Sequence, residues 1–155
     1  MSMKFKLGTK AETIKNAQKI FGKKYFLKAY FFSVKEWKTS RKKIIRNIEK
    51  KFKKENYLIV RSSCLNEDTA EKSNAGAFES ILNVKLFSIS KAVNKVISSY
   101  DKNNLNQVLI QPMMQDVALS GVVMTRDIED NAPYVTINYD DYSGSTNSIT
   151  GGSII

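Results

Sequence analysis

Residues 57–84 read YLIVRSSCLNEDTAEKSNAGAFESILNV, and how this stretch is taken decides the architecture. Tyr57-Leu58-Ile59-Val60 suits a buried strand, with Arg61-Ser62-Ser63 at its end. An acidic, small-residue loop follows through Glu67, Asp68 and Glu71 to Asn74-Ala75-Gly76-Ala77. A second strand-like run from Phe78 closes the unit on Leu82-Asn83-Val84. An arginine that a strand delivers to a Gly/Ala-tipped loop is one way to hold phosphates. The guanidinium offers paired donors, and a glycine lets backbone N–H groups approach an anion closely. The same pattern describes any surface hairpin, so the stretch alone leaves both readings open.

The whole chain bounds the choice. At 155 residues, one domain with a real core is expected. The 42% hydrophobic and 26% charged content is that of an ordinary globular protein. No stretch approaches the roughly 20 apolar residues of a membrane span. The opening MSMKFKLG lacks the apolar core of a signal peptide, which predicts a cytoplasmic protein. Cys64 is the single cysteine, which excludes an internal disulfide and argues against a cysteine zinc site. Histidine is absent, so imidazole catalysis, imidazole metal ligation and a phosphohistidine are excluded on these residues.

The net charge of +10 suggests a nucleic-acid partner until it is located. Lys35 to Lys54 hold ten Lys/Arg against two Glu, whereas Asp101 onward has seven Asp/Glu against Lys102 and Arg126. The basicity is one stripe. It reads as the solvated face of a helix over Trp37–Lys54, with Trp37, Ile44, Ile45, Ile48 and Phe52 facing inward. A nucleic-acid contact or a surface attracting polyanionic nucleotides is the sharper alternative. No aromatic side chains are interleaved with the cations, which counts against single-strand binding.

Other elements fall on either side. Thr9 and Glu12 have the spacing of a capping box, and Ile14, Ala17 and Phe21 continue an apolar helix face. Lys10 then occupies the first turn, where free N–H groups and the helix dipole favour an anion. Taken alone it reads as one more solvated lysine. Tyr25–Val34 reads as a buried strand, and Ser88 can cap a helix carrying Ile89, Ala92, Val93, Val96, Ile97 and Tyr100. Gln107–Met114 reads as a short buried strand ended by Pro112, with Met113 and Met114 open to a core role. Strands follow over Ala118–Asp127 and Tyr134–Tyr139, after a turn at Gln115-Asp116. These runs suggest an α+β fold, a mostly antiparallel sheet with packed helices.

The order VRSS, ED, AG, LNV resembles the N-terminal nucleotide-binding domain of phosphoenolpyruvate synthase and pyruvate phosphate dikinase. Rifampicin phosphotransferases and bacterial glutamine kinases look similar here. Gly8-Thr9-Lys10-Ala11 resembles that family's Gly-Gly-Lys segment with Thr for the second glycine, and Gln111-Pro112-Met113 its Val-Gln-x-Met segment. Ser120-Gly121-Val122 to Asp127 is similar to its Ser-Gly-Val-x-Phe-Thr-x-Asp strand.

The resemblance implies an ATP-grasp-like partial domain whose ligands are ATP and Mg²⁺. It implies Lys10 and Arg61 as catalytic phosphate contacts, and Gly76 as a contact from the covering loop. Ser80 would stand where relatives have Thr, and Gln111 beside the adenine. Where many relatives carry Gly-Leu-Gly-Glu, this chain has Ser143-Gly144-Ser145-Thr146. Asp140 and Asp141, just upstream, could serve magnesium but read as solvated turn residues, and no metal ligand is assigned. The resemblance divides the chain into a lysine-bearing, basic-helix part at about 1–56 and the central unit, adenine-side strand and following sheet at 57–155.

The likeness covers about residues 5–152 yet only the first half of the family's nucleotide domain. The expectation is therefore a fragment, a truncated gene product or one chain of a split protein. In the family the phosphoryl group passes from ATP to a histidine on another domain. The missing phosphohistidine and acceptor domains, or a partner chain, are the implied partners. The alternatives are a non-catalytic interaction module that keeps the fold and, less favoured, a nucleic-acid-binding domain using Arg41–Lys54.

Overall fold

The computed structural model describes residues 8–64, 68–69, 72–73, 79–100, 103–127, 129–144 and 149. The chain forms two compact units, Met1–Met113 and Met114–Ile155. The first begins with α1 (Lys10–Phe21), a 3₁₀ turn at Lys23–Tyr25, β1 (Tyr30–Ser33) and α2 (Val34–Phe52). It continues with β2 (Leu58–Ser63) and two-residue strands β3 (Asp68–Thr69) and β4 (Lys72–Ser73). It ends with β5 (Ser80–Val84), a second 3₁₀ turn at Leu86–Ser88, α3 (Ile89–Ser98) and β6 (Gln107–Pro112). The second unit holds β7 (Ser120–Met124) and β8 (Thr136–Asp140).

Four strands make one antiparallel sheet in the order β1-β6-β2-β5, so the expected α+β class with a mostly antiparallel sheet is what forms. Side chains alternate across a strand, and this sorts the sheet into two faces. Leu58 and Val60 of β2, and Val108 and Ile110 of β6, enter a core with Trp37, Ile44, Ile48 and Phe52 of α2 and Ile89, Val93 and Val96 of α3. Most of these are completely buried, each such side chain contributing on the order of 1.5–3 kcal/mol. Ile59, Arg61 and Ser63 of β2, and Gln107, Leu109 and Gln111 of β6, occupy the opposite face, where α1 lies.

The helix starts are built as their caps require. Thr9 and Glu12 form the expected reciprocal capping box on α1. The second helix begins earlier than its apolar pattern indicates, because Ser33 and Glu36 form another capping box: the Glu36 amide donates to Ser33 Oγ at 3.2 Å, and the Ser33 amide donates to Glu36 Oε2 at 2.7 Å. That cap corrects the strand expected over Tyr25–Val34. Only Tyr30–Ser33 pairs as a strand, Val34 is helical, and Tyr25 and Leu27 are exposed. The register gives a further reason. Tyr30 pairs with Ile110, so continuing β1 backwards would bring Lys28 opposite Pro112. The Met113 amide points to β2, donating to the Tyr57 carbonyl at 2.9 Å. The Pro112 nitrogen therefore faces β1 with no hydrogen to donate.

Along α2 all ten basic residues from Lys35 to Lys54 are exposed, and the helix departs from helical geometry once, at Ser40. The expected helix after Ser88 forms as α3, although Ser88 Oγ donates back to the Lys85 carbonyl at 2.9 Å instead of capping. An extra residue in β5 interrupts its pairing with β2 between Leu58 and Val60, and Asn83 takes φ +53°, a left-handed conformation asparagine tolerates.

In the second unit β7 and β8 pair antiparallel from Ser120↔Asp140 to Met124↔Thr136. A Cβ on Gly121 would meet the Asn138 carbonyl oxygen at 2.6 Å, so the close approach of these strands requires glycine. Asp140 is not the solvated turn residue expected. It is buried and accepts from the Tyr142 amide at 2.9 Å, the Ser143 amide at 2.6 Å and Ser143 Oγ at 2.6 Å, which closes the turn. Met114 is 56% exposed and belongs to no core.

Candidate functional site

On the α1 side of the sheet, register puts three of the residues singled out in the sequence on one surface. Arg61 lies within β2, two residues before its end, which corrects its expected place at the strand's end. It stands directly opposite Ser80 of β5 on one side and Leu109 of β6 on the other. Gln111 pairs with Ile59, two residues back along β2, and so shares the face. Ser80 is exposed; Arg61 and Gln111 are half-buried. Among the described residues the Arg61 guanidinium has neither an ion pair nor a hydrogen bond. A half-buried cation held on a central strand without a counter-charge keeps its donors for something else.

The fourth residue arrives through α1. The Ala11 amide donates to Ser63 Oγ at 3.0 Å, both groups being buried. That bond seats the first turn of α1, and with it Lys10, beside Ser63. Arg61 is two residues along the same strand from Ser63, about 7 Å by strand geometry. Lys10 and Arg61, far apart in the chain, are thus anchored to neighbouring points of one face. Gly76 lies outside the described residues, as do Ser145 and Thr146.

The expected anion site at the amides of α1's first turn is altered by the same contacts. Ser63 takes the Ala11 N–H and Thr9 Oγ1 takes the Glu12 N–H at 3.2 Å. The Glu12 carboxylate also sits at this terminus, accepting from the Thr9 amide at 3.3 Å. Amides already bonded to hydroxyls, beside a carboxylate, are a poor anion cradle. Any anion on this face must be met by the cationic side chains.

Two contributors were not singled out in the sequence. Ser63 was read only as part of the strand end, and Gln107 only as the first residue of a strand. Gln107 accepts from Thr9 Oγ1 at 2.8 Å and donates through Nε2 to Glu12 Oε1 at 3.2 Å. Farther along α1, Lys15 Nζ lies 5.8 Å from the centre of the Phe31 ring on β1. Nothing local marks Gln107, whose partners lie nearly a hundred residues earlier.

No group of three or more His, Cys, Asp or Glu that could hold a metal ion exists among the described residues. No helix among them is long and apolar enough to cross a membrane. Cys64 is buried beside the end of β2.

The family model for the pyruvate phosphate dikinase AMP/ATP-binding domain matches residues 10–142. No curated protein and no solved structure matches. The matched span contains both units' strands and every residue placed above on the α1 face of the sheet, and the chain belongs to the pyruvate phosphate dikinase AMP/ATP-binding domain family.

Proposed function

We propose that this chain is the ATP-binding portion of an ATP-dependent phosphotransferase of the phosphoenolpyruvate synthase and pyruvate phosphate dikinase type. The observation that carries this reading is the guanidinium of Arg61, unpartnered among the described residues, on the sheet face where Ser63 seats the start of α1 and hence Lys10. Two cations so placed suit a polyphosphate, since phosphoryl transfer asks mainly for positioning and charge neutralisation. Arg61 and Lys10 are assigned to the phosphates and Gly76 to the loop that covers them. Ser80, opposite Arg61, is assigned as a hydroxyl contact, and Gln111 lies toward the adenine. Mg²⁺ would arrive on the nucleotide and supply charge neutralisation there; the described residues hold no group of three or more His, Cys, Asp or Glu to bind it. The chain has no histidine, so the phosphoryl group would go to a histidine outside these residues, on a further domain or a partner chain.

Calorimetric titration of the folded chain with ATP, with and without Mg²⁺, beside Arg61→Ala, tests this. Saturable binding that weakens about ten- to hundredfold in the variant is expected, the range for a charge-assisted bond. Equal affinity in the variant would remove Arg61 from the site. No heat from a chain shown to be folded would favour a non-catalytic interaction module instead.

A further inference from the structure

Gln107 opens β6 directly opposite Ser63, on the same face as Arg61. Its amide joins a closed ring of hydrogen bonds with the capping box of α1. Thr9 Oγ1 donates to Gln107 Oε1, Gln107 Nε2 donates to Glu12 Oε1, and the other Glu12 oxygen accepts from the Thr9 amide. The Glu12 amide returns to Thr9 Oγ1. The backbone of Gln107 is itself secured, its carbonyl accepting from the Tyr100 hydroxyl at 2.6 Å.

The capping box already pairs the Thr9 and Glu12 amides without outside help. Tying it to a strand adds nothing the helix requires; it determines where the helix begins. The ring needs an acceptor for Thr9 and a donor for Glu12 on one side chain, and the Gln107 amide offers both at this reach. Thr9 is buried and Glu12 and Gln107 are half-buried, so the ring is partly withdrawn from water. Lys10 is the next residue.

We propose that Gln107 is a positioning residue for the nucleotide site: through Thr9 and Glu12 it sets where Lys10 stands relative to Arg61, so that one polyphosphate meets both cations. The proposal rests on the reading of Lys10 and Arg61 given above. Displacements near 1 Å in such a pair are enough to weaken a shared ligand's grip. The amide contacts no ligand itself and acts through Lys10.

The test is ATP affinity of the full chain by calorimetry for the unsubstituted protein, Lys10→Ala, Gln107→Leu and the double variant, each confirmed folded by circular dichroism. Gln107→Leu should weaken binding about tenfold, and the double variant should bind no more weakly than Lys10→Ala alone. Additive losses, or no loss in Gln107→Leu, would overturn the proposal.

Gln107→Glu supplies a second measurement should the leucine variant not fold. It keeps the acceptor for Thr9 but sets a second carboxylate against Glu12. Its deficit relative to the unsubstituted chain at the same pH should shrink as pH falls and one of the two carboxylates takes a proton. A deficit independent of pH would count against a positioning role. If Arg61→Ala and Lys10→Ala both leave ATP binding unchanged, the nucleotide reading itself fails. If they weaken it while the Gln107 variants do not, the positioning role alone fails.

Discussion

The two faces of the four-stranded sheet are made from the same strands and do opposite things. Toward α2 and α3 the strands present Leu58, Val60, Val108 and Ile110, all buried in one apolar cluster. Toward α1 the alternate residues are Arg61, Ser63, Gln107 and Gln111, with half-buried Ile59 and buried Leu109 as the apolar exceptions. The first face is filled and self-sufficient. The second is mixed, partly covered, and holds a cation, Arg61, with no counter-charge among the described residues. Strand parity therefore divides labour residue by residue: one set of positions fills the core, and the interleaved set seats α1 and carries Arg61.

The largest effect should come from breaking the filled face. Phe52→Ala removes a fully buried ring and should cost about 3–5 kcal/mol of stability in urea unfolding. ATP affinity of the molecules that remain folded should not change. A loss of affinity larger than the loss of folded protein would mean the two faces are coupled. Next is the open face. Arg61→Ala should lose about 1.5–3 kcal/mol of ATP binding while folding stability moves by no more than about 0.5 kcal/mol. A large stability loss would show that the guanidinium serves the fold.

Thr9→Ala strikes the join between helix and sheet. It should cost about 1 kcal/mol of stability as a lost cap and also weaken ATP binding, because the first turn of α1 keeps only the Glu12 bond of its two to Gln107. Stability falling with affinity unchanged would separate the cap from the site. The smallest effect belongs to the surface. Lys28→Ala breaks an ion pair with Glu55 at 2.8 Å in which Lys28 is half-exposed, worth less than about 1 kcal/mol. The difference should shrink as salt is added, and ATP affinity should stay level.

Much of the filled face was legible because periodicity reports burial. The apolar spacing of α2 and α3 and the runs in β2 and β6 were read correctly as elements, and the T-x-x-E signature located the start of α1. The errors have local causes. Tyr25–Leu27 look like strand residues by composition but have no partner strand, because Pro112 cannot extend the ladder in that direction. Ser33 and Glu36 carried a second capping signature that the aromatic run before it obscured. Asp140, read as solvated, is buried by its own turn, a conformation that polarity alone does not reveal.

By itself the sequence determined most of the helices and strands, though not where β1 begins, and it carried the spaced motifs through which the chain is matched to its family. Both are written in nearest-neighbour terms: apolar period, cap residues, and short runs in fixed order. Only the tertiary structure decided that Arg61 lies opposite Ser80, and that Ser63 and Gln107 seat α1 so that Lys10 starts beside them. Those relations depend on strand register and on hydrogen bonds spanning 52 and 98 positions. A one-residue slip in register would turn Arg61 into the apolar core, and no local pattern encodes that choice.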